Sequence, residues 1–197
     1  GNNFKKFRPD KTIENSLSNQ VILKIDEDNL GRIWILTMHG INRYNKKTNS
    51  FYTYYFSRKN KPPLSESEFN MALDASKNVF CAVKDWGIGY YNNEYFQLLI
   101  NYNLPKENVK KMEFAITGEL LVLYDDNKLF SLKIESNDNG EKIISQSKMI
   151  SEKVSDFGVL KNQYICIISS LGNTRIHSLS NSQEEILKVN GRSEERR

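Results

Sequence analysis

The sequence is poor in the residues on which most enzyme and metal sites depend. Its 197 residues include only two cysteines and two histidines, too few and too scattered for a zinc site. It has no Gly-x-Ser-x-Gly motif, no Cys/His pairing of note and no glycine-rich phosphate loop after a strand. Carboxylates cluster only in turn segments, which is not enough for glycosidase chemistry. We therefore expect no catalysis, no metal and no cofactor.

Long apolar runs and strong charge are also missing. No stretch of 18 apolar residues occurs, so no transmembrane helix is expected, and membrane attachment would need segments outside this sequence. The net charge is only +4, and basic residues are not interleaved with aromatics, which argues against a nucleic-acid partner. The chain begins with Gly and shows no signal peptide, but this says nothing about its native location.

The sequence is rich in strand-forming residues and turns. Ten Tyr and ten Phe favour sheet over helix. The segment Leu17–Tyr54 contains four apolar runs separated by turns rich in Asp, Asn and Gly. Its first run, Val21–Ile25, has the branched side chains of a largely buried strand. The segment is therefore predicted to form one four-stranded antiparallel sheet, which cannot bury both of its faces alone.

The same pattern recurs three more times with decreasing fidelity. The second strands of the copies start at Ile33, Val79, Leu120 and Tyr164, a spacing of 46, 41 and 44 residues. Four strands per period in the forties indicate a β-propeller. The predicted fold is all-β, a partial propeller of about four four-stranded antiparallel blades.

We predict a single propeller fragment over residues 1–190. Asn2–Arg8 is expected to be the last strand of a preceding blade, with a loop to residue 15. The blades are placed at 16–57, 64–102, 104–150 and 151–190, and residues 191–197 are a charged tail.

One residue pattern resembles a known family. It consists of Asp26, Gly31, Ile33, Trp34, Ile35, Thr37, Gly40, Tyr44 and Phe51. This pattern resembles the two-component regulator propeller repeat; the match weakens along the chain, and the last two copies lack the Trp and most glycines.

The resemblance implies a periplasmic sensor region of a hybrid two-component signalling protein of Bacteroides-like bacteria. In that family, oligosaccharides are the usual cues, and the kinase would lie outside this chain. Such propellers normally close with about seven blades. Four blades imply an open arc, whose end faces would favour self-association, for example as a symmetric dimer.

The turns between second and third strands are expected to lie together at one end of the array. An aromatic side chain beside carboxylates and amides suits a sugar or peptide. The candidate ligand-binding residues are therefore His39, Asp85, Trp86, Asp125, Asp126 and Asn127. Alternatively, Trp86 packs on a neighbouring blade, and Asp85 and His39 only shape their turns. Trp34, Cys81 and Cys166 lie within strands and are expected to pack in the core.

Two functions follow as hypotheses. The first is a non-catalytic extracytoplasmic sensor with a polar and aromatic pocket at the turn end, responding to an oligosaccharide. The second is a scaffold propeller that binds proteins and has no small-molecule ligand.

Overall fold

All regular structure in the described chain is β-sheet. The computed structural model describes residues 4–10, 12–28, 30–54, 69–92, 95–99, 104–105, 107–160, 163–180 and 184–185. Sixteen strands over these ranges form four antiparallel four-stranded sheets, called blades 1 to 4. The same ranges include no helix with the length and hydropathy needed to cross a membrane. The predicted all-β fold of four blades is confirmed.

Within each blade the strands follow one another as a meander, so sequence neighbours are hydrogen-bonded neighbours. The strands, in chain order, are β1 (Ile22–Glu27), β2 (Ile33–Thr37), β3 (Gly40–Asn45), β4 (Ser50–Tyr54), β5 (Phe69–Leu73), β6 (Val79–Val83), β7 (Gly87–Asn92), β8 (Tyr95–Leu98), β9 (Val109–Phe114), β10 (Leu120–Tyr124), β11 (Leu129–Ser136), β12 (Lys142–Ser151), β13 (Val154–Val159), β14 (Tyr164–Ser169), β15 (Thr174–Ser178) and β16 (Glu184–Glu185).

The blades pack face to face in chain order. Successive side chains of a strand point to opposite faces, so a second strand that lies between two blades serves two interfaces. In blade 2, Cys81 packs toward Trp34 of blade 1, whereas its neighbour Phe80 packs toward blade 3. In the same way, Leu121 of blade 3 packs on Ile165 of blade 4. No core cluster of the described residues joins blade 4 to blade 1, which agrees with the predicted open arc.

The first turn of every blade has the same backbone hydrogen bond, and it corrects the predicted alignment of blade 4. The N–H groups of Asp28, Asp74, Ala115 and Leu160 each donate to the carbonyl four residues later, at 2.9–3.1 Å. By this turn, Ile165 and not Tyr164 matches Ile33. The shift has a physical reason: Ile165 is buried against blade 3, whereas Tyr164 points away and is 40% exposed. A one-residue offset exchanges the two faces of a strand.

The N-terminal segment is a cap and not a strand. Phe4–Arg8, the described part of the predicted Asn2–Arg8 strand, has no strand structure, so that prediction is wrong there. The Phe7 ring instead packs edge-on against Tyr44 and Phe51, with ring centroids 5.1 Å apart in both pairs. Leu17 is buried with Ile35 and Phe51. The outer face of blade 1 is thus covered by the chain's own residues, called here the cap segment (residues 4–10 and 12–20).

Two backbone groups fix the cap segment on blade 1. The Phe51 N–H donates to the Asn15 carbonyl at 2.8 Å. The Ser18 N–H donates to Oδ1 of the buried Asn42 at 3.0 Å, and Asn42 Nδ2 donates back to the Ser18 hydroxyl at 2.7 Å. These bonds satisfy polar groups that would otherwise be buried without a partner.

Strand β1 is exposed, contrary to the sequence prediction for Val21–Ile25. Ile22, Leu23 and Ile25 are 44%, 48% and 58% exposed. Among the described strands, β1 pairs only with β2 and forms an edge of blade 1. Ile25 stands opposite Ile35 in the sheet, but the cap segment covers Ile35 and leaves Ile25 uncovered. The branched residues of Val21–Ile25 correctly predicted a strand, but the prediction that this strand is buried is wrong.

A buried carboxylate organises the first turn of blade 1. Asp28 Oδ2 accepts from the Trp34 indole N–H at 2.7 Å and from Arg32 Nε at 2.5 Å. Its Oδ1 accepts from the backbone N–H groups of Leu30 and Arg32, both at 2.9 Å. Burial would raise the pKa of Asp28, but these hydrogen bonds together lower it below the ordinary 3.8. Asp28 therefore remains ionised and holds the Trp34 ring in the core between blades 1 and 2.

We expect Asp28→Asn to lower the free energy of unfolding by about 2 kcal/mol, because charge-assisted hydrogen bonds are replaced by weaker ones. The control is Asp74→Asn, at the same turn position in blade 2, where the carboxylate binds Asn78. Because folding lowers the pKa of Asp28, its stabilisation is present above the unfolded-state pKa and is lost as the pH falls through the folded-state value. Urea unfolding at several pH values measures this. The difference in the free energy of unfolding between the wild-type protein and Asp28→Asn should shrink on acidification. A difference that stays constant contradicts this role.

The cap segment yields a second prediction. Leu17→Ala should cost about 2–4 kcal/mol, because the side chain is only 4% exposed and its removal leaves a cavity against Ile35 and Phe51. Ile13→Ala, in the same segment but 59% exposed, should change stability by about 0.5 kcal/mol at most. Urea unfolding checks both variants, and equal effects would show that the segment does not pack as described.

Candidate functional site

The turns that contain the predicted site residues lie at one end of the blades. In blades 1, 3 and 4 this turn is hydrogen-bonded to the residue just before the blade's first strand. The N–H groups of Met38, Asp125 and Ser170 donate to the carbonyls of Val21, Asn108 and Lys153 at 3.2, 2.9 and 2.7 Å. This end, called here the turn end, therefore presents the β2–β3 turn and its counterparts in blades 3 and 4 on a fixed backbone.

In blade 2, the predicted residues Asp85 and Trp86 are exposed at the turn end. Asp85 has a φ of 61°, the left-handed conformation that Asp tolerates better than most residues. The Trp86 N–H donates to the Val83 carbonyl at 3.1 Å, and the Trp86 side chain is 39% exposed. These features show that the pair shapes its turn; their part in binding stays a prediction.

In blade 3, the three predicted residues have different surroundings. Asp126 is ion-paired with Lys128, with 2.8 Å between Oδ2 and Nζ. Asn127 has a φ of 64°, and its carbonyl accepts from the N–H of Val154 in blade 4 at 2.8 Å. Asp125 lines a cavity at the first strands of blades 1 to 3. The structure thus separates the predicted set: His39 lines one cavity and Asp125 another.

The cavity that contains His39 lies between the cap segment and the turn end of blade 1 and is called here the cap cleft. Its volume is about 1240 Å³, large enough for an oligosaccharide. It is lined by Arg8, Pro9, Asp10, Ile13, Glu14, Asn15, Ser16, Leu17, Ser18, Asn19, Gln20, Val21, Met38, His39, Tyr52 and Thr53.

The hydrogen bonds of Asn19 determine the tautomer of His39. Asn19 Oδ1 accepts from the Val21 N–H at 2.7 Å, so the other atom of the amide, Nδ2, is the donor toward His39. It lies 3.1 Å from His39 Nδ1. His39 Nδ1 therefore accepts, and Nε2 carries the proton. The exposed imidazole can offer an N–H donor to a ligand in the cleft.

Carboxylates and a guanidinium complete the polar lining. The Thr12 hydroxyl and then the Thr12 backbone N–H donate to Asp10 Oδ1, at 2.6 and 2.8 Å, and they lower the pKa of Asp10 below 3.8. Asp10 is thus an ionised acceptor at neutral pH, near Glu14 and Arg8 in the cleft wall. This mixture of donors and acceptors can hold a ligand with many hydroxyl groups.

Sequence reasoning found His39 but missed the other cleft residues. The sequence predicts residues 1–15 as the last strand of a preceding blade plus a loop, which gives no reason to place Arg8, Asp10 and Glu14 at a site. The spacing of Asp10, Thr12 and Ser16 did contain a signal, because Asp followed by Thr two residues later is typical of an Asx turn. The structure has this turn, and the Asp10 N–H also donates to the Ser16 hydroxyl at 3.1 Å.

The second cavity, called here the inner cavity, has a volume of about 450 Å³. It is lined by Leu23, Lys24, Leu36, Phe69, Asn70, Met71, Lys110, Lys111, Met112, Glu113 and Asp125, from blades 1 to 3. In the part of the chain that the structure describes, no three His, Cys, Asp or Glu side chains come close enough to hold a metal ion.

Comparisons with known proteins identify the architecture. The structure is similar to the extracellular domain of the hybrid two-component system BT3049 from B. thetaiotaomicron, with a TM-score of 0.63 and 19% identity. The alignment covers 87% of this chain and 25% of that one. The fold is that of a β-propeller. No known protein-family profile matches the sequence, and no curated protein matches it.

Propellers with other roles are also similar. Virginiamycin B lyase from Staphylococcus aureus matches with a TM-score of 0.56 and 14% identity, over 88% of this chain and 59% of the lyase. U3-55K matches with a TM-score of 0.57 and 12% identity, over 87% of this chain and 53% of its own length. The likeness to these three proteins establishes the propeller fold, and function must be argued from the sites.

The tautomer of His39 can be tested directly. Long-range ¹H–¹⁵N NMR spectra of the neutral imidazole should show His39 with a protonated Nε2 and an unprotonated Nδ1, because Asn19 donates to Nδ1. Asn19→Ala should move the ¹⁵N shifts toward a mixture of tautomers, and His39→Gln assigns the signals. A protonated Nδ1 in the wild-type protein would contradict the described contact.

Proposed function

We propose that this chain is the ligand-sensing propeller segment of an extracytoplasmic two-component sensor and that it binds an oligosaccharide in the cap cleft. The observation that carries the proposal is the cleft itself, in which imidazole, amide, carboxylate and guanidinium groups line about 1240 Å³ beside the turn end. The fold supports the sensor role by its likeness to the extracellular domain of a hybrid two-component system.

The cleft chemistry suits a saccharide. Sugar hydroxyls both donate and accept, so they need partners of both kinds at close spacing. Arg8 and the Nε2–H of His39 supply donors, Asp10 and Glu14 supply acceptors, and the amide of Gln20 supplies both. Pro9, Ile13, Val21 and Met38 add apolar surface for the C–H faces of a pyranose.

Ligand binding would also fix the cap segment. One wall of the cleft belongs to the cap segment and the other to blade 1. A saccharide that spans both walls adds contacts between them, so it favours the docked segment over any arrangement in which the segment moves away. This supplies a physical route from occupancy of the cleft to a change at the surface of blade 1.

The proposed role is binding and not catalysis. Virginiamycin B lyase has a similar fold, so the fold alone does not distinguish binding from catalysis. Within the described cleft, His39 Nδ1 is bonded to the Asn19 amide, and the Ser18 hydroxyl is bonded to Thr37 Oγ1 at 2.8 Å. Neither arrangement activates a nucleophile, which requires the base to accept the nucleophile's proton.

A protein-binding scaffold is the second candidate, and the exposed apolar strand β1 favours it. Val21, Ile22, Leu23 and Ile25 are exposed along the free edge of blade 1. Such an edge can pair with a strand of another protein or of a second copy. This function predicts protein binding without any small ligand in the cap cleft.

A methyl NMR titration separates the two functions. The chain has four methionines, and Met38 lies in the cap cleft. With ¹³C-methyl-labelled methionine, neutral host and plant oligosaccharides should shift the Met38 signal and leave Met149 on β12 unchanged. His39→Ala and Glu14→Gln should each weaken binding about tenfold, because the first loses a hydrogen bond to the ligand and the second replaces a charge-assisted hydrogen bond by a weaker one.

Asp138→Ala, an exposed substitution on the β11–β12 turn, is the control and should bind like the wild-type protein. Trp86→Ala tests the other predicted position at the turn end and should also leave the cleft affinity unchanged. If no saccharide shifts Met38 while a protein partner binds the chain, the scaffold function replaces the sensor function.

A further inference from the structure

A further cavity lies at the end of blade 1 opposite the turn end, where the β1–β2 and β3–β4 turns meet. It is called here the basic pocket and has a volume of about 610 Å³. Its charged lining residues are Arg32, Arg43, Lys46 and Lys47, and no described Asp or Glu lines it. A concave surface with charges of one sign attracts ligands of the opposite sign. The proposed saccharide function makes no use of these cations.

The buried Trp34 ring brings the two guanidinium groups close to one point. Cζ of Arg32 lies 5.8 Å from the ring centroid, and Cζ of Arg43 lies 6.0 Å from it. Arg43 also lies over the Tyr52 ring, 5.6 Å from its centroid. These cation–π contacts fix the direction of both side chains without removing their charge. The wall of the pocket thus presents two positive charges beside the same ring.

The carboxylate of Asp28 uses only part of the Arg32 guanidinium. Arg32 Nε donates to Asp28 Oδ2 at 2.5 Å, and the Asp28 side chain is only 1% exposed. A guanidinium has five N–H donors, and this hydrogen bond uses one of them. The Arg32 side chain is itself 30% exposed. Asp28 therefore orients the guanidinium from inside the protein, and the remaining donors can meet a ligand from outside.

The β3–β4 turn supplies the two ammonium groups. Asn45 Oδ1 accepts from the backbone N–H of Lys47 at 2.9 Å, which fixes the turn. Lys46 Nζ lies 3.6 Å from Glu27 Oε1 at the end of β1, so Lys46 extends toward the β1–β2 turn, on which Arg32 lies. Among the described residues, Lys47 forms no ion pair. The lysines thus border the same pocket as the guanidiniums.

One carboxylate lies at the rim of the basic pocket. Glu27 Oε1 is 3.3 Å from the position that a Cβ on Gly31 would take, and Gly31 lines the pocket. The Glu27 side chain is 56% exposed, and its charge opposes the entry of an anion. The described carboxylates at this end, Glu27 and Asp28, are fewer than the four cations. An excess of positive charge therefore remains.

We propose that the basic pocket binds a small ligand that carries several phosphate or sulfate groups. The guanidiniums lie on the sheet and the lysines on a turn, so the positive charge is spread over the pocket, and several anionic groups satisfy it better than one. Guanidinium and ammonium groups both form charge-assisted hydrogen bonds with the oxygens of such esters. The hydroxyls of Thr48 and Ser50 are 2.7 Å apart and share one hydrogen bond, so one of them can still donate to the ligand.

Three probes on one scaffold test the proposal: myo-inositol hexakisphosphate, myo-inositol hexasulfate and uncharged myo-inositol. In backbone ¹H–¹⁵N spectra, the two polyanions should shift the signals of Gly31 and Lys47, and myo-inositol should not. Calorimetry gives the affinities, which should fall as salt is added because the contacts are partly exposed.

Lys46→Met and Lys47→Met keep the apolar stem and should each weaken polyanion binding about fivefold, since each removes one exposed ionic contact. Glu27→Gln should instead tighten binding about threefold, because it removes the carboxylate at the rim. The control Lys133→Met makes the same change of charge at an exposed position of β11 and should bind like the wild-type protein. Arg32 is left unchanged because it also holds Asp28.

The proposal is overturned if neither polyanion shifts Gly31 and Lys47, or if myo-inositol shifts them equally. It is also overturned if Lys133→Met weakens binding as much as Lys47→Met, because the attraction would then be general. Binding of either polyanion at these signals supports the proposal, and the tighter one identifies the ester as phosphate or sulfate. Unchanged thermal melting shows that the variants are folded. Saccharide binding is read at Met38 in the cap cleft, so the two sites can fail independently.

Discussion

The structure depends on one constraint: a four-stranded blade that lies inside the array has two apolar faces, and each face must be covered. Alternation along the second strands of the inner blades meets this constraint, since Phe80 and Cys81 are adjacent in sequence and pack into different interfaces. Burial on both sides makes these strands the most apolar in the chain, as in Leu120–Tyr124. The order of the blades follows directly, because each blade can cover only its chain neighbours.

The end of the array shows how the same constraint produces a cleft. Blade 1 has no preceding blade in the described chain, and the cap segment covers its outer face through Phe7 and Leu17. A segment without strand structure cannot fit a pleated sheet along its whole length, so a cleft remains where the segment passes the turn end. Polar side chains line that cleft because Asp10, Ser16 and Asn19 are needed to satisfy the backbone of the segment.

The architecture could be predicted from the sequence because period and alternation are repeated signals. The second-strand starts gave the number of blades, and Trp34 was correctly placed in the core. Pattern alone could not tell that Val21–Ile25 is exposed, since burial depends on what covers a strand and not on its own residues. The one-residue offset at Ile165 and the cap at Phe7 also depend on contacts with distant residues. Among the residues that line the cap cleft and the inner cavity, only His39 and Asp125 were predicted as site residues. Both lie in turns, which can be recognised in a sequence, whereas the residues of the opposite walls cannot.

The contact between the cap segment and blade 1 is the central claim, because both the covered face and the cap cleft exist only if the segment lies there. Nuclear Overhauser effects between the Leu17 methyl groups and the Phe51 ring, in a sample labelled at Leu methyls and Phe rings, test it most directly. The account predicts strong effects for this pair and for the rings of Phe7 and Phe51, whose centroids are 5.1 Å apart. The absence of both in a folded sample would contradict the account.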